Sequence, residues 1–271
     1  MSRLLKNIYT CFPDWKHKCL TMSYDDGRTF DRQLVEIFNK YGIKGTFHLN
    51  SGLFDYDDGR IQLDEIKDVY KGHEVSCHTY THPTIARCPL SQTAQQIIED
   101  RKILEGAAGY PVRGMSYPNG SYSQEIIDML PALGIEYSRV IETTGTFALP
   151  EDLYRWKATC HHNENLMKLG EEFAALFKKQ YLYLMYVWGH SYEFDRDNNW
   201  ELIEDFCRLL GGRDDIWYAT NIEYVDYMNA AKNLRYTMAG DKVYNPSALS
   251  VFITADNNRY EIKGGETVDL C

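Results

Sequence analysis

Two spacings of apolar residues alternate through most of this chain. Short apolar runs, CLTMSY (19–24), KGTFHLN (44–50), HEVSCHT (73–79), VRGMSYP (112–118), IEYSRVI (135–141), YRWKATC (154–160), YLYLMYVWGH (181–190) and IWYATN (216–221), read as buried strands. Between them apolar side chains recur three and four apart, the spacing of one helix face. Phe30, Leu34, Ile37, Phe38 and Tyr41 form one such stripe, stopped by Gly42. A short helical piece is expected from Asp64 to Tyr70, and a longer helix over about 91–108 with Ala94, Ile97, Ile98 and Leu104 inward. Ser123 is an N-cap for a helix carrying Ile126, Ile127 and Leu130. Leu166, Leu169, Phe173, Leu176 and Phe177 mark the next, Trp200, Ile203, Phe206, Cys207 and Leu210 another, and Tyr224 to Leu234 the last.

Strands that alternate regularly with helices predict a parallel sheet wrapped by helices, and seven or eight such units predict a barrel. In barrels of that kind chemistry sits at the C-terminal ends of the strands. After about residue 234 the rhythm changes to strand runs separated by Gly, Asn, Asp and Pro turns. The expected organisation is an α/β barrel over 1–234 and a small antiparallel β appendix over 235–271. Some forty residues are few for an independent core, so the appendix is expected to pack on the barrel.

A length of 271 residues suits one large domain. The formal charge of −10 argues against a nucleic-acid partner, because phosphate binding needs clustered Lys and Arg. The seven cysteines are odd in number and contain no CxxC pair, which indicates neither a disulfide framework nor a thiolate metal site and fits a reducing compartment. No apolar run reaches membrane-spanning or secretory length, so the expectation is a cytoplasmic protein with no membrane partner.

Two stretches stand out chemically. In GHEVSCHTYTHP (72–83), His78 and His82 stand four apart at the end of an apolar run, and two imidazoles there are able to hold one metal ion. Pro83 disfavours the helical conformation at His82, so a strand ending in a tight loop is the better reading than a helix face. In MSYDDGRTF, Asp25 and Asp26 stand side by side before Gly27, a costly pairing of carboxylates unless a cation compensates it.

These stretches, with the YPNG turn at 117–120 and the WGH segment at 188–190, resemble the polysaccharide deacetylases of carbohydrate esterase family four, in the family's order. The resemblance implies a distorted (β/α)7 barrel and a metal-dependent hydrolase that removes acetyl groups from an acetylated carbohydrate substrate. It implies Asp26, His78 and His82 as ligands of a divalent cation, zinc first, with Co2+, Ni2+ or Fe2+ as alternatives. Asp25 would be the general base, His190 the general acid, and a backbone N–H near Asn119 the oxyanion donor. Tyr80, Tyr117 and Trp188 adjoin the motifs and are candidates for sugar-ring contact.

The chain also departs from the family. The family arginine that holds the catalytic aspartate aligns with Ser116, and Arg113 would need a different geometry to replace it. Arg139, near the end of the next strand, is expected to pair with Asp25 instead. No DW pair lies between 120 and 180 to orient the acid histidine, although His161 and Glu193 could reach the barrel mouth. These departures leave open an O-acetyl esterase or a non-sugar amide hydrolase of the same superfamily, and beyond those a catalytically silent carbohydrate-binding protein.

Overall fold

The computed structural model describes residues 5–56 and 59–270. Its strands are β1 (Ile8–Cys11), β2 (Lys18–Asp25), β3 (Gly45–Leu49), β4 (Glu74–Cys77), β5 (Gly114–Ser116), β6 (Tyr137–Thr143), β7 (Trp156–Ala158), β8 (Cys160–His161), β9 (Tyr183–His190), β10 (Ile216–Tyr218), β11 (Arg235–Tyr236), β12 (Lys242–Tyr244), β13 (Val251–Ala255), β14 (Asn258–Ile262) and β15 (Thr267–Asp269). The main sheet is parallel throughout, in the order β7-β6-β5-β4-β3-β2-β9-β8, with β10 pairing the start of β2 off this path. The expected α/β architecture is therefore present, but no ladder joins β7 to β8 to close a barrel. Instead, the single strand expected over 154–160 divides: Trp156 and Ala158 register with β6, while Cys160 and His161 register with β9. One stretch of chain thus leaves one edge of the sheet and joins the other.

Helices cover the outer face of the sheet at Asp31–Tyr41, Leu90–Ala108, Leu166–Ala175, Trp200–Leu210 and Asn221–Lys232. The first ends at Gly42, whose φ of 67° is the left-handed conformation that glycine adopts without strain. Ser123 does cap its helix, accepting from the Ile126 N–H. Two expected inward positions are corrected. Ile98 is exposed, because Leu90–Ala108 turns Thr93 and Asp100 inward along with Ile97 and Leu104. Phe177 lies beyond the helix end at Ala175 and is 82% exposed.

The appendix is antiparallel and forms two three-stranded sheets, β1-β13-β14 and β11-β12-β15. Residues 8–11 therefore go with the appendix and not with the main sheet, a long-range pairing that periodicity in a four-residue run does not reveal. Val251, Ile253 and Ile262 share a buried cluster with Trp156, Tyr186 and Tyr224 of the main body, so the small sheet is seated on it. The six cysteines among the described residues are free, and no described helix is long and apolar enough to cross a membrane.

Inside the sheet, Trp156 packs edge-on against Tyr137 and Tyr186, at 5.5 and 4.8 Å between ring centres. Toward the N-terminal ends of the strands lies a polar plug. The buried Glu74 carboxylate accepts from Tyr137 Oη (2.7 Å), Thr46 Oγ1 (2.9 Å) and the Ile222 N–H (2.8 Å). Burial pushes its pKa up to about 7 against these three donors. A folded-state pKa above the unfolded value of roughly 4.3 gives stability that is full below the unfolded pKa and is lost as pH rises through about 7. Glu74→Gln is therefore expected to flatten the decline in stability between about pH 5 and 8, read by urea denaturation at several pH values; an unchanged slope would show that Glu74 does not carry it.

Candidate active site

Parallel strands bring their C-terminal ends to one side, and register decides which side chains meet there. β2 ends at Asp25, whose Cα lies opposite His48 of β3 on one side and His190 of β9 on the other. β4 ends one residue before His78, and β5 ends at Ser116, in register with Arg139 of β6. The ends of β2, β4 and β9 thus supply Asp25, His78 and His190 to one mouth, and Arg139 joins them from within β6.

Asp25 is buried and held from two directions: Ser116 Oγ donates to Oδ1 at 3.0 Å and Arg139 Nη2 donates to Oδ2. Burial alone would raise its pKa, but the Arg139 guanidinium, with His78, His48 and His190 around it, pulls it well below the usual carboxylate range. Arg139, itself fully buried, also stands 4.2 Å from the centre of the Trp188 ring. The residue expected as partner of Asp25 therefore reaches it. Arg113 is occupied elsewhere, with Glu136 at 3.0 Å and Asp226 at 2.6 Å.

Asp26, next in the chain, turns out of the strand with φ of 80° while its N–H donates to the His48 carbonyl at 2.9 Å. His78 and His82 lie across from it, their rings 4.7 Å apart. Asp26 Oδ1 and His82 Nε2 are 3.8 Å apart, and one ligand atom from each of Asp26, His78 and His82 lies within 4.8 Å of the others. His78 Nδ1 faces the Ser116 carbonyl at 3.0 Å and Ser116 Oγ at 2.7 Å, which leaves Nε2 for a cation. Burial lowers the His78 pKa to about 4, partly offset by Asp25 and Asp26, so at neutral pH the ring is the neutral form that a metal requires. Two imidazoles and one carboxylate are the donor set of an open divalent-cation site, and these residues fit one.

This loop is strained: Thr79 and His82 both have positive φ, 66° and 57°, a conformation costing of order 1 kcal/mol or more at each non-glycine residue. Its neighbours fix it in place. Asn50 Nδ2 donates to the carbonyls of His78 (2.5 Å) and Thr79 (2.9 Å), and Asp100 Oδ2 accepts the His78 N–H at 3.1 Å. Asn50, Asp100 and the buried His48, whose Nε2 meets Ser23 Oγ at 2.9 Å, were not singled out from the sequence. The only available signal was that Asn50 and His48 close a strand run, which ordinary turn residues also do.

The remaining candidates divide. His190 is partly buried on the same side, and Trp188 lies beneath Arg139. Asn119 is exposed on the Pro118–Gly120 turn with φ of 56°, and Tyr80 is half-buried against Gly52. Tyr117 is a correction: 1% exposed, its hydroxyl donating to the Tyr154 carbonyl and its ring stacked on Tyr122, it belongs to the core and does not face a ligand. A cleft of about 500 Å³ lined by Trp15, Lys16, Phe177, Lys179 and Arg259 also includes Lys18 and Tyr183, which places it at the opposite ends of β2 and β9.

Residues 13–138 match the family model described as polysaccharide deacetylase, which bears out the resemblance read from the motifs. A chitooligosaccharide deacetylase of Sinorhizobium fredii is 28% identical over 109 residues, 39% of this chain and 49% of the relative. The chain thus spans less than half of that relative's length. Among solved structures, the Xyl-CE4 domain of a multidomain xylanase from the hindgut metagenome of Trinervitermes trinervoides aligns with a TM-score of 0.54 at 15% identity, covering 82% of this chain and 96% of that one. A CE4 family pseudoenzyme from Bacillus anthracis aligns with a TM-score of 0.50 at 15% identity, over 80% of this chain and 68% of that one. At these identities the structural matches establish the α/β fold.

Removing Arg139 strands a buried carboxylate, a change that typically costs about 3–5 kcal/mol. Arg139→Ala is expected to destabilise the fold by that order in chemical denaturation, and Asp25→Ala added to it to recover part of the loss. Strictly additive losses would show that the two groups are not energetically coupled.

Proposed function

We propose, starting from the membership of residues 13–138 in the polysaccharide deacetylase family, that this chain is a divalent-cation-dependent hydrolase removing acetyl groups from N-acetylated sugars of an oligo- or polysaccharide. The observation that carries the reading is the convergence of Asp26, His78 and His82 within 4.8 Å beside an Asp25 held by Arg139. Zinc suits this donor set, and Co2+, Ni2+ or Fe2+ would also be accepted. A cation held there would lower the pKa of water and polarise the acyl oxygen.

Asp25, kept ionised by Arg139, accepts the proton of the attacking water as the new O–C bond forms. Charge developing on the acyl oxygen is met by the backbone N–H of Asn119 on the Pro118–Gly120 turn. When the C–N bond breaks, its electron pair goes to nitrogen, which takes a proton from His190, releasing acetate and the amine. Trp188 and Tyr80 border this mouth and are assigned to contact with the sugar. Ser116 takes over part of the work of the family arginine, since its hydroxyl ties Asp25 to His78, and Arg139 supplies the charge.

One structural relative is a pseudoenzyme, so a silent carbohydrate-binding protein is the reading to be tested against. What supports the catalytic reading is that base, cation donors and acid candidate are all present and face one side. Acetate release from N-acetylglucosamine oligomers, O-acetylated xylan and small cyclic amides is expected for the oligomers, to be abolished by chelator and restored by Zn2+. Release from xylan or cyclic amides alone would transfer the activity to the esterase or amide alternative, and neither turnover nor metal content would favour the silent protein.

The pH profile follows from the pKa directions. His190 is raised above its ordinary value: burial opposes this, but Glu193, Asp25 and Asp26 outweigh it. Turnover that needs protonated His190 therefore falls as pH rises through that raised pKa. On the acid side His78 gains a proton as pH falls toward about 4, and the cation site is lost. His190→Ala is expected to lower kcat by roughly 10²- to 10⁴-fold and to remove the alkaline limb; unchanged turnover would refute its role.

A further inference from the structure

The family's aspartate for the acid histidine has no counterpart in the sequence, yet a carboxylate does stand behind His190. Glu193 lies in the first turn of the Ser191–Arg196 helix that follows β9, and its side chain folds back so that Oε2 accepts the His190 backbone N–H at 3.3 Å. The same oxygen is 3.5 Å from His190 Nδ1, 3.1 Å from His161 Nε2 and 3.2 Å from His162 Nε2. Three imidazoles from two neighbouring strand ends therefore surround one carboxylate that is only 9% exposed. Unpaired, such a buried charge would be expensive; here three ring nitrogens stand within 3.5 Å of it.

The arrangement depends on the residues beside it. His162 stacks on Phe194 at 4.1 Å between ring centres and on Tyr24 at 5.8 Å, which fixes its Nε2 against Glu193. A Cβ at residue 189 would sit 2.0 Å from His162 Nδ1, so only glycine between Trp188 and His190 admits that ring. His161 closes the other side, edge-on to Trp188 at 4.6 Å. Glu193 is thereby held at a set distance from His190 by contacts that do not involve His190.

We infer that Glu193 is the positioning residue of His190: its carboxylate, set between His161 and His162, stands against Nδ1 and orients the ring, leaving Nε2 to face the leaving group. The inference deepens the deacetylase reading and rests on it for the identity of the leaving group. In supplying the carboxylate from the same turn as the acid, three residues on, the chain dispenses with a partner from a distant segment. The charged and titratable groups facing His190 are Asp25 and Asp26 from the end of β2, His161 and His162 from β8 and the residue after it, and Tyr192 and Glu193 from its own turn. Burial opposes ionisation of Glu193, but the three histidines hold its pKa well below the carboxylate range, so across the working range it is an anion.

The test is a histidine-ring NMR titration of the full chain with Glu193→Gln and Glu193→Asp, with kcat and KM measured on an N-acetylglucosamine oligomer across pH. In Glu193→Gln the His190 pKa is expected to fall by about one unit, the alkaline limb of kcat to move down with it, and kcat near pH 8 to drop at least about tenfold with KM within about twofold. Glu193→Asp keeps the charge and is expected to restore most of the His190 pKa while kcat stays reduced, which a merely structural carboxylate would not produce. Should Glu193→Gln fail to fold, the Asp variant decides: His190 pKa and kcat both unchanged would overturn the inference. So would an unshifted His190 in a folded Gln variant. One ligand atom from each of His161, His190 and Glu193 lies within 4.8 Å of the others. Wild type that binds two equivalents of Zn2+ where Glu193→Gln binds one would therefore overturn the inference in favour of a second cation site. The titration needs no substrate, so it reads this inference even where the oligomer is not turned over.

Discussion

A buried arginine and a buried aspartate facing each other across the strand ends set the geometry of everything else at the mouth. Arg139 and Asp25 are each nearly inaccessible, so neither charge is tolerable without the other. Fixing Asp25 fixes the turn that follows it, and with it the direction in which Asp26 leaves the strand. Ser116 extends the same constraint to His78 through one hydroxyl, so Asp25 and His78, the proposed base and a proposed cation donor, are oriented by a single small residue. The cost of the left-handed backbone at Thr79 and His82 is met because Asn50 and Asp100 bind that loop from behind.

The mouth divides into two clusters with opposite electrostatic tasks. Beside Asp26 and His82, burial holds the His78 imidazole neutral, which suits binding a cation. Around Glu193 the carboxylate is held anionic and His190 is pushed toward its charged form, which suits giving up a proton. Asp25 lies between them in register with His190. The same residue types are therefore tuned differently at the ends of strands of one sheet, according to what surrounds them.

Much of this was legible in the chain itself. Alternating periodicities gave the strand and helix order, and Pro83 after His82 argued against a helix where the structure has a left-handed loop residue. Arg139 was recoverable as the partner of Asp25 because it stands late in the strand run that follows that of Ser116. Other features were not legible for physical reasons. The pairing of Ile8–Cys11 with Val251–Ala255 joins opposite ends of the sequence, and no local pattern encodes it. Tyr117 looked like a ligand contact because it adjoins a motif, whereas side-chain direction at a strand end depends on register. His162 carries no motif of its own; its place follows from the missing Cβ at Gly189, a constraint visible only in three dimensions.

The measurement that bears most directly on the account is anomalous diffraction from crystals of the chain loaded with one equivalent of Zn2+. The account predicts one principal anomalous peak coordinated by Asp26, His78 and His82, with Asp25 outside the coordination sphere and bound to Arg139. A principal peak among His161, His190 and Glu193, or none at the ends of β2 and β4, would contradict it.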